Sequence, residues 1–196
     1  MDYCKTKHIP EASTVSGKKS NTCRRLFRSK VRNLLGSRYM ALPCCLFGLL
    51  NVSIDATAAG DLDYNNGLRF QEGRGVVKDL ASAANYFRLA ASKGHVLAQY
   101  NYGQCLSQGC GIAQNLEQAA EYFKRAADNG YVLAQNEYGL ILATGRGVPV
   151  NFDGAAKYFK LGADQGYAEA RYNYGICLEN GYGIAQNPVE AARCYK

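Results

Sequence analysis

From Ala59 to Lys196 the apolar positions follow helical stripes that restart every 36 residues. Between Tyr131 and Gly166, Ala134, Tyr138 and Leu142 fall at i, i+4 and i+8, one face of a helix (helix A) over Leu133–Thr144. Gly145-Arg146-Gly147-Val148-Pro149 breaks this helix, because two glycines and a proline favour a turn. A second helix (helix B) is expected after Asn151, whose side chain can accept from N–H groups of the first turn. Asp79, Asn115 and Asn187 stand at the same step. Pro188 and Glu190 strengthen the last of these starts. Gly166 supplies the left-handed residue that closes helix B. No strand pattern interrupts the region.

The same register runs through the small and aromatic residues. Glycines recur at Gly67, Gly103, Gly139 and Gly175, and again at Gly75, Gly111, Gly147 and Gly183. Alanine pairs such as Ala119-Ala120 and aromatic pairs such as Tyr122-Phe123 keep the step. A fixed period of this length predicts an all-α, right-handed α-solenoid of helix-turn-helix units over 59–94, 95–130, 131–166 and 167–196, the last one truncated. Gly139, Ala155, Ala156 and Ala163 let helices A and B approach, and Tyr158 and Phe159 are expected to fill the layer between repeats.

These residues resemble the Sel-one-like repeat family, relatives of the tetratricopeptide repeats. The family pattern appears as Ala134, Tyr138-Gly139, Leu142, Gly145, Gly147-Val148, Asn151, Ala155, Tyr158, Gly162-Ala163 and Gly166. Departures are mild: Tyr102, Tyr138 and Tyr174 replace the usual leucine, and Leu62 stands where the first unit would open on alanine. The resemblance implies a non-catalytic scaffold that binds a peptide or protein segment. It also brings an alternative, since some cysteine-rich bacterial members are counted as β-lactamases, which would make the chain a secreted hydrolase.

Charge divides the chain differently. Residues 59–196 hold 13 acidic and 13 basic side chains, so the net +7 belongs to residues 1–58. The folded part offers no basic face for nucleic acid, despite a pI near 9.0. Residues 1–58 are expected to be a basic, largely disordered leader. Its apolar run Ala41–Leu50 is too short for a stable membrane span but suits a signal segment, and Ala56-Thr57-Ala58 would be its cleavage string. An exported protein is the expectation. The alternative is a mitochondrial address, because residues 12–54 contain no acid and can form a basic amphipathic helix.

Candidate chemistry is sparse. The two histidines, His8 and His95, belong to no His-Glu-x-x-His string, and no Cys-x-x-Cys occurs, so neither metal nor cofactor is called for. His95 holds the place of Tyr131 and Tyr167 and is expected to link repeats. Ser16 and Lys19 form a Ser-x-x-Lys string without partner motifs. Among the eight cysteines, Cys105 and Cys177 are equivalent but two repeats apart, and the thiols are expected to pack as small hydrophobes.

The clue to binding is a near-duplicate. Residues 100–115 and 172–187 are identical at 12 of 16 positions, differing at Gln104/Ile176, Ser107/Glu179, Gln108/Asn180 and Cys110/Tyr182. Positions 104, 107 and 108 share a helix face with Tyr100, opposite the Ala98/Tyr102/Leu106 stripe. In the related tetratricopeptide repeats this face is concave and holds peptides. The expected partner-binding strip is Tyr64, Gln71, Tyr100, Gln104, Ser107, Asn136, Tyr172 and Glu179, polar, rich in tyrosine and without a Lys/Arg clamp.

Overall fold

The computed structural model describes residues 44–196, with side chains from Ala58 onward; the leader before Cys44, with Ser16 and Lys19, lies outside the described residues. Eight helices follow in chain order: α1 (Cys44–Glu72), α2 (Leu80–Ser92), α3 (Val96–Gln108), α4 (Leu116–Asp128), α5 (Val132–Thr144), α6 (Phe152–Asp164), α7 (Ala168–Asn180) and α8 (Pro188–Cys194). No strand occurs among the described residues. Leu49–Lys196 forms one compact unit, an all-α solenoid in which α1, α3, α5 and α7 serve as helix A and the others as helix B. From α2 onward each helix packs on the one before it in the chain. Among the described residues no helix is long and apolar enough to cross a membrane. Helix α1 runs unbroken through Ala56-Thr57-Ala58 into the first repeat.

The caps lie where the period puts them. Asp79, Asn115, Asn151 and Asn187 each accept a first-turn N–H of helix B, from Ala81, Gln118, Gly154 and Glu190 respectively. Helix A ends on a left-handed glycine in repeats two to four, with φ of 72°, 71° and 72° at Gly109, Gly145 and Gly181.

The second glycine of each turn has a different task. A Cβ on Gly111 would overlap the backbone carbonyl of Leu80, one on Gly147 that of Leu116, and one on Gly183 that of Phe152. Each turn therefore lays its backbone directly on the first residue of the preceding repeat's helix B. Gly75, with no earlier repeat to meet, has nothing within 4 Å of its Cβ position.

Within a repeat, helix A meets helix B at glycine and phenylalanine. A Cβ on Gly139 would stand 2.5 Å from Phe159 Cε1, and one on Gly67 2.6 Å from the Phe87 ring. This corrects the expectation that Phe159 fills the layer between repeats: its ring occupies the space a glycine leaves in its own repeat. Tyr158 does span repeats, because its hydroxyl donates to Asp128 Oδ1 at 2.6 Å while its ring meets Tyr138 edge-on. The stripes Ala98/Tyr102/Leu106 and Ala134/Tyr138/Leu142 are buried as expected, and Cys177 joins the same core, where burial pushes its thiol up.

In the first three repeats a further bridge runs from the end of helix B to helix A, thirty residues back. It is an ion pair in the first repeat (Lys93 to Asp63), and amide to amide in the next two (Asn129 to Gln99, 3.4 Å; Gln165 to Gln135, 2.8 Å). The buried glutamines are thereby satisfied; no buried side-chain N or O among the described residues lacks a partner.

Candidate partner-binding face

The face is built at the seams between repeats. His95 precedes α3, and its Nδ1 accepts the Ala98 N–H at 3.1 Å, a cap that requires this nitrogen to be unprotonated. Its ring stacks on Tyr64 at 4.4 Å, and Nε2 faces Asp61 at 3.5 Å. One repeat later Tyr131 takes the same place and meets Tyr100 edge-on at 5.0 Å. The Tyr100 ring also touches Phe123 at 5.6 Å, behind it. Adjacent A helices are linked as well: Asn173 Nδ2 donates to Asn136 Oδ1 at 2.8 Å.

The expected strip therefore divides by burial. Tyr64 and Tyr100 are half-buried ring junctions, and Asn136 is buried outright as a hydrogen-bond acceptor between helices. Tyr172 is 57% exposed. Gln104 stands beside Tyr100 and donates to its hydroxyl at 3.0 Å. Ser107 and Gln71 are partly exposed, and Glu179 is exposed. Tyr195 joins the last pair, its ring 5.5 Å from Tyr172 and its hydroxyl donating to Glu179 Oε2 at 2.8 Å.

Four residues of this face were not anticipated as part of it: Tyr131, Glu137, Tyr167 and Glu169. Tyr167 donates to Glu169 Oε2 at 2.6 Å. Burial, and then the neighbouring Glu137, Tyr131, Tyr167 and Glu169, hold the Tyr100 phenol well above its ordinary value. Burial, and then its hydrogen bond to Glu169, raise Tyr167, and burial raises Tyr131. The signal that finds these residues is a spacing: position i of one repeat meets i+31 and i+37 of the next, as in Tyr100 with Tyr131 and Asn136 with Asn173.

This arrangement orders phenols and carboxylates; it does not pair a nucleophile with a base. Among the described residues no three His, Cys, Asp or Glu side chains gather to hold a metal ion. A shallow cavity of about 590 Å³ lies elsewhere, lined by Leu142, Val148, Pro149, Val150, Phe152, Asp153 and Gly183, none of them in the strip.

The recurring seams have a counterpart among known families. The Sel1 repeat pattern matches residues 64–95, 96–131, 132–167 and 168–196. The chain belongs to the Sel1 repeat family. Sel1 repeat proteins are generally non-catalytic and commonly serve as protein-interaction scaffolds. The crystal structure of c5321, a protective antigen present in uropathogenic Escherichia coli strains and displaying an SLR fold, is similar, with a TM-score of 0.67 and 30% identity over 75% of this chain. The match spans 32% of c5321, so this chain corresponds to about a third of that protein. A Sel1 repeat protein from Oxalobacter formigenes matches at a TM-score of 0.68 and 23% identity over 89% of this chain and 67% of its own, a likeness of fold. No curated protein matched.

Proposed function

We propose that this Sel1 repeat chain is a non-catalytic adaptor whose helix-A face holds a peptide or protein segment. One observation carries the proposal. In the near-identical segments 100–115 and 172–187, every buried position is the same in both, and the four differences fall on side chains outside the core. A pair of units that keeps its packing and varies its outward side chains is suited to presenting different contacts from one scaffold. Tyrosine adds large contact area at little entropic cost, and Tyr172 offers it directly to a partner. The exported location is part of the same proposal and is tested by sequencing the N-terminus of the mature protein, where a start at Ala59 supports it. Among the described residues nothing is assembled in favour of the hydrolase alternative.

A photo-crosslinking amino acid at position 172, at position 107, or at the helix-B position of Lys160 tests the face. Partner adducts are expected at 172 and 107 and not at 160. Adducts confined to 160 would place the partner on the other layer and end the proposal.

A further inference from the structure

Helix α3 ends in a turn that folds Cys110 back onto Cys105. Gly109 takes left-handed angles, φ 72° and ψ 26°, and the Cys105 carbonyl accepts the N–H groups of Gly109 and of Cys110, the latter at 3.1 Å. Such a closure sets the side chains of its first and last residues beside each other, where helix ends of this kind often carry an apolar contact. The same backbone bond recurs from Arg74 to Arg69, from Arg146 to Ile141 and from Tyr182 to Cys177. Only in the second repeat are both residues cysteine.

Both side chains are partly exposed thiols. Cys105 packs against the core, and Cys110 Sγ donates to Gln108 Oε1 at 3.5 Å, a weak bond that a sulfur–sulfur bond would replace. A disulfide needs Cα atoms about 4.4–6.8 Å apart, a span that a backbone hydrogen bond between the two residues keeps within reach. Cys177, by contrast, is buried, and its counterpart in the turn is Tyr182.

We propose that Cys105 and Cys110 form a reversible redox site, oxidised by a small external disulfide to a bond that clamps the last turn of α3. The Cys110 thiolate attacks the donor RSSR, breaks its S–S bond, releases one RSH and leaves a mixed disulfide on Cys110. The Cys105 thiolate then attacks the Cys110 sulfur and displaces the second RSH. Two cysteine thiols are oxidised, one donor disulfide is reduced, and the cysteine protons end on the two RSH. Excess external thiol reverses both steps. The bond joins helix A to its own turn. Gly111, the next residue, carries the main-chain joint to Leu80 of the first repeat. Oxidation therefore holds Ser107 of the proposed strip between two tied residues and steadies the seam behind it.

Peptide mapping tests this on the full chain, because trypsin releases residues 94–124 as one peptide whose only cysteines are Cys105 and Cys110. The folded protein is incubated with glutathione disulfide, alkylated with iodoacetamide and digested without reduction. The peptide is expected to carry no alkyl group and to be lighter than its dithiol form by a pair of hydrogens. After dithiothreitol it should take an alkyl group on each cysteine. The oxidised chain is expected to melt about 5 °C above the reduced one. Cys110→Ser should remove that difference. A peptide still alkylated on both cysteines after oxidation of the folded chain overturns the proposal. So does a bond that forms only in urea, or one that ties either residue to a different cysteine. A melting shift that survives Cys110→Ser overturns the clamp.

Discussion

Tyr158 and Asp128 join the second helices of neighbouring repeats through a 2.6 Å hydrogen bond, in which the phenol donates to the carboxylate. Asp128 also receives Lys124 Nζ at 2.7 Å. Burial pushes the Asp128 carboxyl up, but Lys124 and Tyr158 outweigh it and hold the group below its ordinary value of 3.8. Stability from this group is thus fully present above the ordinary carboxyl range and is lost as pH falls through the lowered folded-state value. Tyr158→Phe should cost about 1 kcal/mol at neutral pH, a modest figure because the pair is partly exposed. Urea denaturation at neutral and at strongly acidic pH checks it: the variant and the parent should converge in acid.

The opposite sign applies at alkaline pH. Tyr64, Tyr100, Tyr102, Tyr131 and Tyr138 all lie above the ordinary phenol value of 10.0, with burial the first cause in each. Groups raised on folding contribute stability that is complete below the unfolded value and lost as pH rises through the folded one. Melting temperature should therefore hold steady to about pH 9 and fall steeply above about pH 10. Ultraviolet titration of the phenols should follow helix loss. Full ionisation near the ordinary value with helicity intact would contradict this packing.

Glycine at the helix A–helix B contact can be graded. Gly139 stands where a Cβ would lie 2.5 Å from Phe159, but at Gly103 the nearest Phe123 atom is 3.2 Å away. Gly139→Ala should therefore destabilise more than Gly103→Ala, and Gly139→Val should cost about 2–4 kcal/mol. Chemical denaturation of the three variants gives the order.

The seam glycines allow a cleaner comparison. Gly75 and Gly111 have nearly the same backbone, φ of 69° and 74°, so alanine pays the same conformational penalty at both. Only Gly111 has a neighbouring backbone in the way. Gly75→Ala should cost about 1 kcal/mol, and Gly111→Ala distinctly more as the first two repeats separate. Hydrogen exchange at the start of α2 should rise in the second variant alone.

Tyr100 and Tyr172 share a repeat position and differ in cover. Tyr131 and Phe123 flank Tyr100, whereas Tyr172 is 57% exposed. Tyr100→Ala should lower the melting point of the array, with a loss of about 3 kcal/mol, and Tyr172→Ala should leave it almost unchanged. Partner capture should suffer in both. Equal melting points would mean that the Tyr100–Tyr131 seam contributes nothing.

The caps, breaks and inward stripes were legible because each depends on a local rule, and the 36-residue step repeats the rule four times. The binding strip was legible only in part. Periodicity within a helix tells which way Tyr100 leaves α3, but the residue that covers it, Tyr131, comes from the next repeat. Asn136 reads as one more exposed polar position, yet Asn173 takes it as an acceptor and α5 buries it. The bridge thirty residues back was invisible for another reason. Its chemistry changes from Lys93–Asp63 to Asn129–Gln99 to Gln165–Gln135, so no shared residue type marks it. Phe159 was misplaced because an aromatic residue fits equally well on either side of a helix layer until the facing glycine is known.

The contact of Gly111, Gly147 and Gly183 with the preceding helix start is made by main chain on main chain, so it is indifferent to which side chains either repeat carries. Any unit that carries this turn can follow any unit whose helix B starts in this way. Excision of residues 95–130 would bring Gly147 to Leu80 and recreate the joint that Gly111 made there. Arrays of this construction can lengthen or shorten by whole units through unequal recombination without inventing a new joint, and the outward side chains can then be reassigned one unit at a time.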